Sequence, residues 1–277
     1  MNTIRTAPSL DLFYRDWQGA GRPVVFVAGW SLPSESWSYQ MMALHEAGHR
    51  VIAYDRRGHG RSGDPGGGYD FDTLADDLAA VLDTLDLRGA ILVGHSMGCN
   101  EILRYLGRHG SARVAGVALL GAMTPCLLRR PDNPEGIDAE MFAFVQRELM
   151  SDFPRWIDDN MVPFVLPETP RGMQDWLRNM ALGASLQALV ECNRALARAD
   201  FRAELPAIDV PVLLIAGTGD ASAPFALTAR PAAALIPGAQ LKVYEDAPHG
   251  MFITHMAEVN RDLLEFAATM GQNRLQS

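Results

Sequence analysis

Three cysteines in 277 residues are too few and too scattered to organise this chain. Cys99, Cys126 and Cys192 fall in no metal-ligand spacing, and their odd number argues against a disulfide framework. A reduced, cytoplasmic setting is expected. Positive charge is also short: Lys and Arg total 24 against 33 Asp and Glu, a net charge of −9. No basic cluster interleaves with aromatics, so nucleic acid is not an expected partner. No apolar run is long enough to span a bilayer, and residues 1–6 lack the apolar core of a secretory signal, so no membrane partner is expected either. Internal repeats, low-complexity tracts and inter-domain linkers are missing. What remains is ordinary globular composition, 48% hydrophobic and 21% charged, with ample length for a large core.

The rhythm of the chain is the first positive signal. Residues 10–17 read as a strand closed by Gly19 and Gly21. Residues 23–28 are apolar at every position, as a strand buried on both faces of a parallel sheet should be. Ser34 or Ser36 is then placed to cap a helix whose Trp37, Met41 and Leu44 share one face, with Gly48 ending it. Residues 51–54 form the next strand. The helix after it carries an apolar stripe of Leu74, Leu78, Val81, Leu82 and Leu85, with Asp72, Asp76 and Asp77 in or near its first turn, where the dipole favours them. Strands at 90–93, 114–120, 212–216 and 241–244 follow, with helices at 97–109, 226–235 and 257–268 and a frayed tail at 271–277. This alternation predicts a mostly parallel, doubly wound α/β sheet with right-handed crossovers. Between 122 and 205 it stops. That stretch holds only helical patterns rich in Met, Phe and Trp, punctuated by prolines. It is expected to be a helical cap (122–205) inserted between two strands of a core made of 1–121 and 206–277.

Chemistry concentrates at Gly94-His95-Ser96-Met97-Gly98. An apolar strand runs into a G-x-S-x-G turn and a helix starts at once, which is the context of a nucleophile elbow. The turn strains the serine backbone, and Gly94 and Gly98 permit it because a Cβ at either would strike the neighbouring strand or helix. Ser96 is the candidate nucleophile. The Met97 N–H, opening the helix, is a candidate donor to developing negative charge. A serine hydroxyl needs a base. His249, in a loop between Pro248 and Gly250, is the first candidate and His255 the second. His45, His49 and His109 read as solvated positions on helix surfaces or ends, His59 as a structural hydrogen-bonding group, and His95 as pointing away from Ser96. The base needs a carboxylate to fix its tautomer. Asp220 ends a strand between Ser96 and His249 in sequence. Asp246 lies too near His249 to approach from a separate loop, and Asp55 and Asp209 read as turn residues. The order Ser, Asp, His is the one expected of an α/β-hydrolase. A second oxyanion donor should come from the loop after 23–28, as the Trp30 N–H.

Over nearly its whole length the chain resembles the α/β-hydrolase-fold serine esterases of the cofactor-free haloperoxidase (perhydrolase) group. The likeness is carried by Ala53-Tyr54-Asp55-Arg56-Arg57-Gly58-His59-Gly60-Arg61-Ser62, by Asp72-Thr73-Leu74-Ala75-Asp76-Asp77-Leu78, by the elbow, by Tyr105-Leu106-Gly107-Arg108-His109-Gly110 and by Ala247-Pro248-His249-Gly250. It implies a triad of Ser96, Asp220 and His249, an oxyanion hole of Trp30 and Met97, and chemistry without cofactor or metal. The chain departs where the group usually reads His-Gly-Trp-Pro and it has Ala28-Gly29-Trp30-Ser31. The missing His removes a loop-ordering hydrogen bond, and the missing Pro changes a residue lining the acyl site. Ester hydrolysis is therefore expected ahead of peroxide-linked activity. The expected function is serine-dependent hydrolysis of small to medium apolar carboxylic esters through an acyl-enzyme. Lactonase is the near alternative, with perhydrolase or haloperoxidase activity beside it. A hydrolase-fold ligand receptor and a carbon–carbon bond hydrolase stand further off. The expected partner is a small-molecule ester or lactone, and a homo-oligomer is left open by the sequence.

Overall fold

The computed structural model describes residues 2–7 and 10–272. Its strands are β1 (Thr3–Ala7), β2 (Leu10–Trp17), β3 (Gly21–Val27), β4 (His49–Tyr54), β5 (Ala90–His95), β6 (Val114–Leu120), β7 (Val212–Gly217) and β8 (Gln240–Tyr244). They form one sheet in the order β1-β2-β4-β3-β5-β6-β7-β8. β1 pairs antiparallel with β2 and β2 antiparallel with β4; every other pairing is parallel. The chain leaves β3 for β4 on one side and returns to β5 on the other. This reversal opens a crevice at the carboxyl ends of β3 and β5, where open α/β sheets bind ligands.

The continuous apolar strands are explained by the two-residue period of a strand between two cores. Val25, Ile52, Leu92, Val117 and Leu214 face one core, packed by Leu74, Leu78 and Val81 of α2 (Phe71–Thr84) and Ile102 and Leu103 of α3 (Met97–His109). Val24, Phe26, Val51, Val93, Ala118 and Ile215 face the other, packed by Met41 and Leu44 of α1 (Ser38–Glu46) and by the C-terminal helix. Trp37, expected on the face of α1, ends a short 3₁₀ turn at Ser34–Trp37 and is buried on that same side.

Residues 122–205 contain α4 (Ala139–Phe164), α5 (Arg171–Ala181) and α6 (Leu186–Arg198). Pro154 and Pro163 lie inside α4, and Asp152 breaks it with φ −157° and ψ 82°. Asp152 Oδ1 accepts the Arg155 N–H at 3.1 Å, so Pro154 stands in the first turn of a fresh helical segment, where its missing N–H costs nothing. α7 (Ala229–Leu235), α8 (Met251–Thr254) and α9 (Met256–Gln272) complete the chain. α9 runs past the expected start of fraying at 271, and 273–277 of that tail lie outside the described residues. Among the described residues no helix is long and apolar enough to cross a membrane.

Several details differ from the sequence expectations. β1 was not anticipated, because its five residues carry no apolar run. The cap of α2 is Asp70, whose side chain accepts the Thr73 N–H, and Asp77 is buried against Arg57 with contacts of 2.7 and 2.8 Å. At the sheet edge, Lys242 on β8 donates to Asp262 at 2.8 Å and Glu265 at 3.1 Å.

Candidate active site

Ser96 is the hinge between β5 and α3. Its backbone sits at φ 54°, ψ −120°, a conformation L-residues rarely adopt. The neighbours hold it there: its N–H donates to the Leu120 carbonyl on β6 at 2.8 Å, and its own carbonyl accepts the Cys99 N–H at 3.1 Å. A Cβ at Gly94 would stand 2.9 Å from both the Cys99 nitrogen and Ile102 Cδ1, and one at Gly98 would enter the Val27 carbonyl. The helix can follow the strand this tightly only over glycine.

Two loops at the carboxyl ends of the last strands reach back over this hinge. His249, after β8, brings Nε2 to 2.8 Å from Ser96 Oγ. Asp220, after β7, brings Oδ2 to 2.7 Å from His249 Nδ1. A carboxylate only accepts, so Nδ1 carries the imidazole proton and the Nε2 lone pair faces the Ser96 hydroxyl. The other carboxylate oxygen, Oδ1, is held by the Ser222 and Ala223 N–H groups at 2.9 and 2.7 Å. All three side chains are buried, within a few per cent of full exclusion from solvent.

This geometry arises on a sheet and crossover pattern that a known family shares. Residues 22–256 match the model of the α/β-hydrolase fold family. The chain is an α/β hydrolase. A non-heme chloroperoxidase of Kitasatospora aureofaciens is 40% identical over 273 residues, covering 96% of this chain and 99% of the relative. A bifunctional esterase/perhydrolase of Acinetobacter calcoaceticus is 35% identical over 274 residues, with 96% and 99% covered. Among solved structures, a bromoperoxidase from Bacillus anthracis matches with a TM-score of 0.92 at 34% identity, over 96% of this chain and 98% of that one.

The other histidines of this α/β hydrolase take different places. His95 bonds a group other than Ser96, but it is not idle. Its Nε2 donates to the His249 carbonyl at 2.9 Å, and the two rings lie 4.7 Å apart. Burial, then the neighbouring His249, pushes its pKa well below the ordinary value, so it is neutral. His59 donates from Nδ1 to the Arg57 carbonyl at 2.9 Å, which is the structural role expected of it. His255 bonds Thr254 and stacks on Tyr244, away from Ser96. His49 opens β4 rather than lying on a helix. Asp246 receives no part of His249; its N–H donates to Thr218.

Trp30 lies in the loop after β3, with its indole N–H on the Leu189 carbonyl at 3.0 Å and its ring edge-on to Trp156 at 5.1 Å. Met97 is the first residue of α3, so its N–H has no partner within the helix. Ser31 has φ 65°, and Leu32 N–H closes the turn on the Gly29 carbonyl at 3.3 Å. A cavity of about 310 Å³ opens above Ser96 and His249. Trp30, Trp156, Met161, Phe164 and Leu177 give it a mostly apolar wall, with Asn160 and Asn193 among the polar exceptions. Phe164, the last residue of α4, accepts the Gly250 N–H at 2.6 Å, which ties α4 to the loop of His249.

Proposed function

We propose that this α/β hydrolase is a serine-dependent carboxylic-ester hydrolase working through an acyl-enzyme. The carrying observation is the continuous hydrogen-bond line from Ser96 Oγ through His249 to Asp220, at 2.8 and 2.7 Å. In this reading Ser96 attacks the acyl carbon while His249 Nε2 takes its proton. Asp220 holds the tautomer and stabilises the imidazolium. The Trp30 and Met97 N–H groups receive the oxyanion, each worth about 3 kcal/mol in the transition state. His249 returns the proton to the leaving alcohol, then activates the water that releases the acid.

The apolar cavity wall supports small to medium apolar esters as substrates, with residues 122–205 as a cap over a core of 1–121 and 206–277. A lactone needs the same steps with the leaving group tethered. Peroxide in place of the second-step water would give a peracid, the activity named for the Acinetobacter calcoaceticus relative. Ser31 at φ 65° favours hydrolysis as the main reaction here. The group's usual proline is confined to φ near −65°, so the turn that carries Trp30 is not the one a proline would build.

The test is Ser96→Ala assayed on p-nitrophenyl esters from acetate to butyrate. A fall in kcat of at least about 10³-fold in a folded variant is expected. Survival of most of the esterase activity would overturn the assignment. In the parent enzyme kcat/KM should rise with acyl length, by up to about 0.8 kcal/mol per buried methylene.

A further inference from the structure

Arg56 and Glu101 form an ion pair that is almost wholly shut off from solvent, the side chains 2% and 1% exposed. Arg56 follows β4 and Glu101 lies on α3, five residues beyond Ser96 and one helical turn beyond Met97. Arg56 Nε donates to Glu101 Oε1 at 2.6 Å, and Glu101 Oε2 accepts the Tyr54 hydroxyl at 3.2 Å. Nη2 lies against the same Glu101 oxygen, and both terminal nitrogens also reach the backbone of the loop after β3. Nη1 reaches the Gly29 carbonyl at 3.2 Å and Nη2 the Ala28 carbonyl. A buried pair of this kind is weak evidence for stability, since apolar residues of like volume often serve as well. Its connections are more telling than its energy.

The Gly29 carbonyl and the Trp30 N–H belong to one peptide group. A trans peptide is planar, with C=O and N–H pointing in opposite directions. Whatever holds the Gly29 oxygen therefore aims the Trp30 N–H. The guanidinium is a rigid plane, so anchoring one edge on α3 and the other on this loop fixes the loop relative to the helix that starts at Met97. We infer that Arg56, held by Glu101, is a positioning residue that sets the Trp30 N–H in line with the Met97 N–H at the oxyanion position. This rests on the acyl-enzyme reading above. It adds a dependence on two side chains that never touch substrate.

The pair is tested with Arg56→Lys and with the double replacement Arg56→Met/Glu101→Leu. The lysine variant keeps the charge but has no planar fork to span loop and helix. The double variant removes both charges together, so no buried charge is stranded. In each, kcat for p-nitrophenyl butyrate is expected to fall about 10- to 100-fold with KM within about twofold, because a misaimed donor is missed only in the transition state. Affinity for a trifluoromethyl ketone, which forms a tetrahedral adduct on serine, should fall by the same factor, with Tm recorded alongside. Parent-like kcat and adduct affinity in either folded variant would overturn the inference and leave the pair as packing. Equal losses in KM and adduct affinity would overturn it too, since a general loosening of the site acts that way. Ser96→Ala run in parallel separates the two readings. If it stays active, the acyl-enzyme reading fails; if it is dead while the Arg56 variants match the parent, only the positioning role fails.

Discussion

The indole N–H of Trp30 donates to the Leu189 carbonyl, 3.0 Å away on α6, and so fastens the loop after β3 to the segment lying above it. The backbone N–H of the same residue is one of the two proposed oxyanion donors. Trp30→Phe keeps an aromatic ring against Trp156 and removes only the tether. It should lower kcat/KM about 5-fold, the equivalent of about 1 kcal/mol for one hydrogen bond. Steady-state kinetics on p-nitrophenyl butyrate check this, and an unchanged value would show that the tether contributes nothing to turnover.

Asp220→Asn should be more damaging than its small change in shape suggests. Ser222 and Ala223 donate to Oδ1 and would select the amide oxygen for that side, leaving the NH₂ toward His249. Nδ1 must then accept, which moves the ring proton to Nε2 and denies Ser96 its proposed base. A loss in kcat of at least about 10³-fold is expected with Tm little changed. A variant with near-parent kcat would remove Asp220 from the line.

Ser31 offers a stability test. At φ 65° it occupies the third position of the Gly29–Leu32 turn, where glycine is at ease and proline cannot go. Ser31→Gly should be close to neutral, as relief of strain offsets added chain entropy. Ser31→Pro should cost more than about 1 kcal/mol and lower Tm by several degrees. Equal melting temperatures for the two would mean that the turn readily adopts another form.

Acid stability should carry the signature of His59. Burial, reinforced by Arg56 and opposed by Asp64, lowers its pKa from 6.5 to about 3. The unfolded chain therefore binds the proton more tightly than the folded one. The contribution is fully present above about pH 6.5 and is lost as pH falls toward 3, by as much as about 5 kcal/mol at the lower end. His59→Asn can still donate to the Arg57 carbonyl and has nothing to titrate, so its stability should fall less steeply over that range. His95 adds a slope of the same sign, so the variant flattens the curve only in part. Urea unfolding at intervals from pH 7 to pH 4 measures it, and parallel curves would clear His59.

The elbow was legible because its signal is local: strand, two glycines and helix lie within a dozen residues. The sheet was legible because two-sided burial writes itself as unbroken apolar runs. Arg56 and Glu101 were not readable as a pair, since they are 45 residues apart and meet only where the loop after β4 comes up against α3. Asp77 reads from the sequence only as a charge near the start of a helix, because nothing near it reveals Arg57, 20 residues earlier, as its partner. His95 could be set aside as the base from its place on the turn, yet its bond to the His249 carbonyl depends on a loop more than 150 positions further on. Prolines 154 and 163 read as breaks and one of them opens a helical segment, a distinction set by the backbone of Asp152.

Lys242 on edge strand β8 is the one lysine in the sequence. Asp262, then Glu265, hold its ammonium and keep its pKa above the usual value. Amine-directed reagents thus meet a single, sluggish side chain on this protein near neutral pH. Once the solution is alkaline enough for coupling, every molecule linked to a bead or electrode through lysine hangs by the same edge of its sheet, and a whole immobilised layer faces one way.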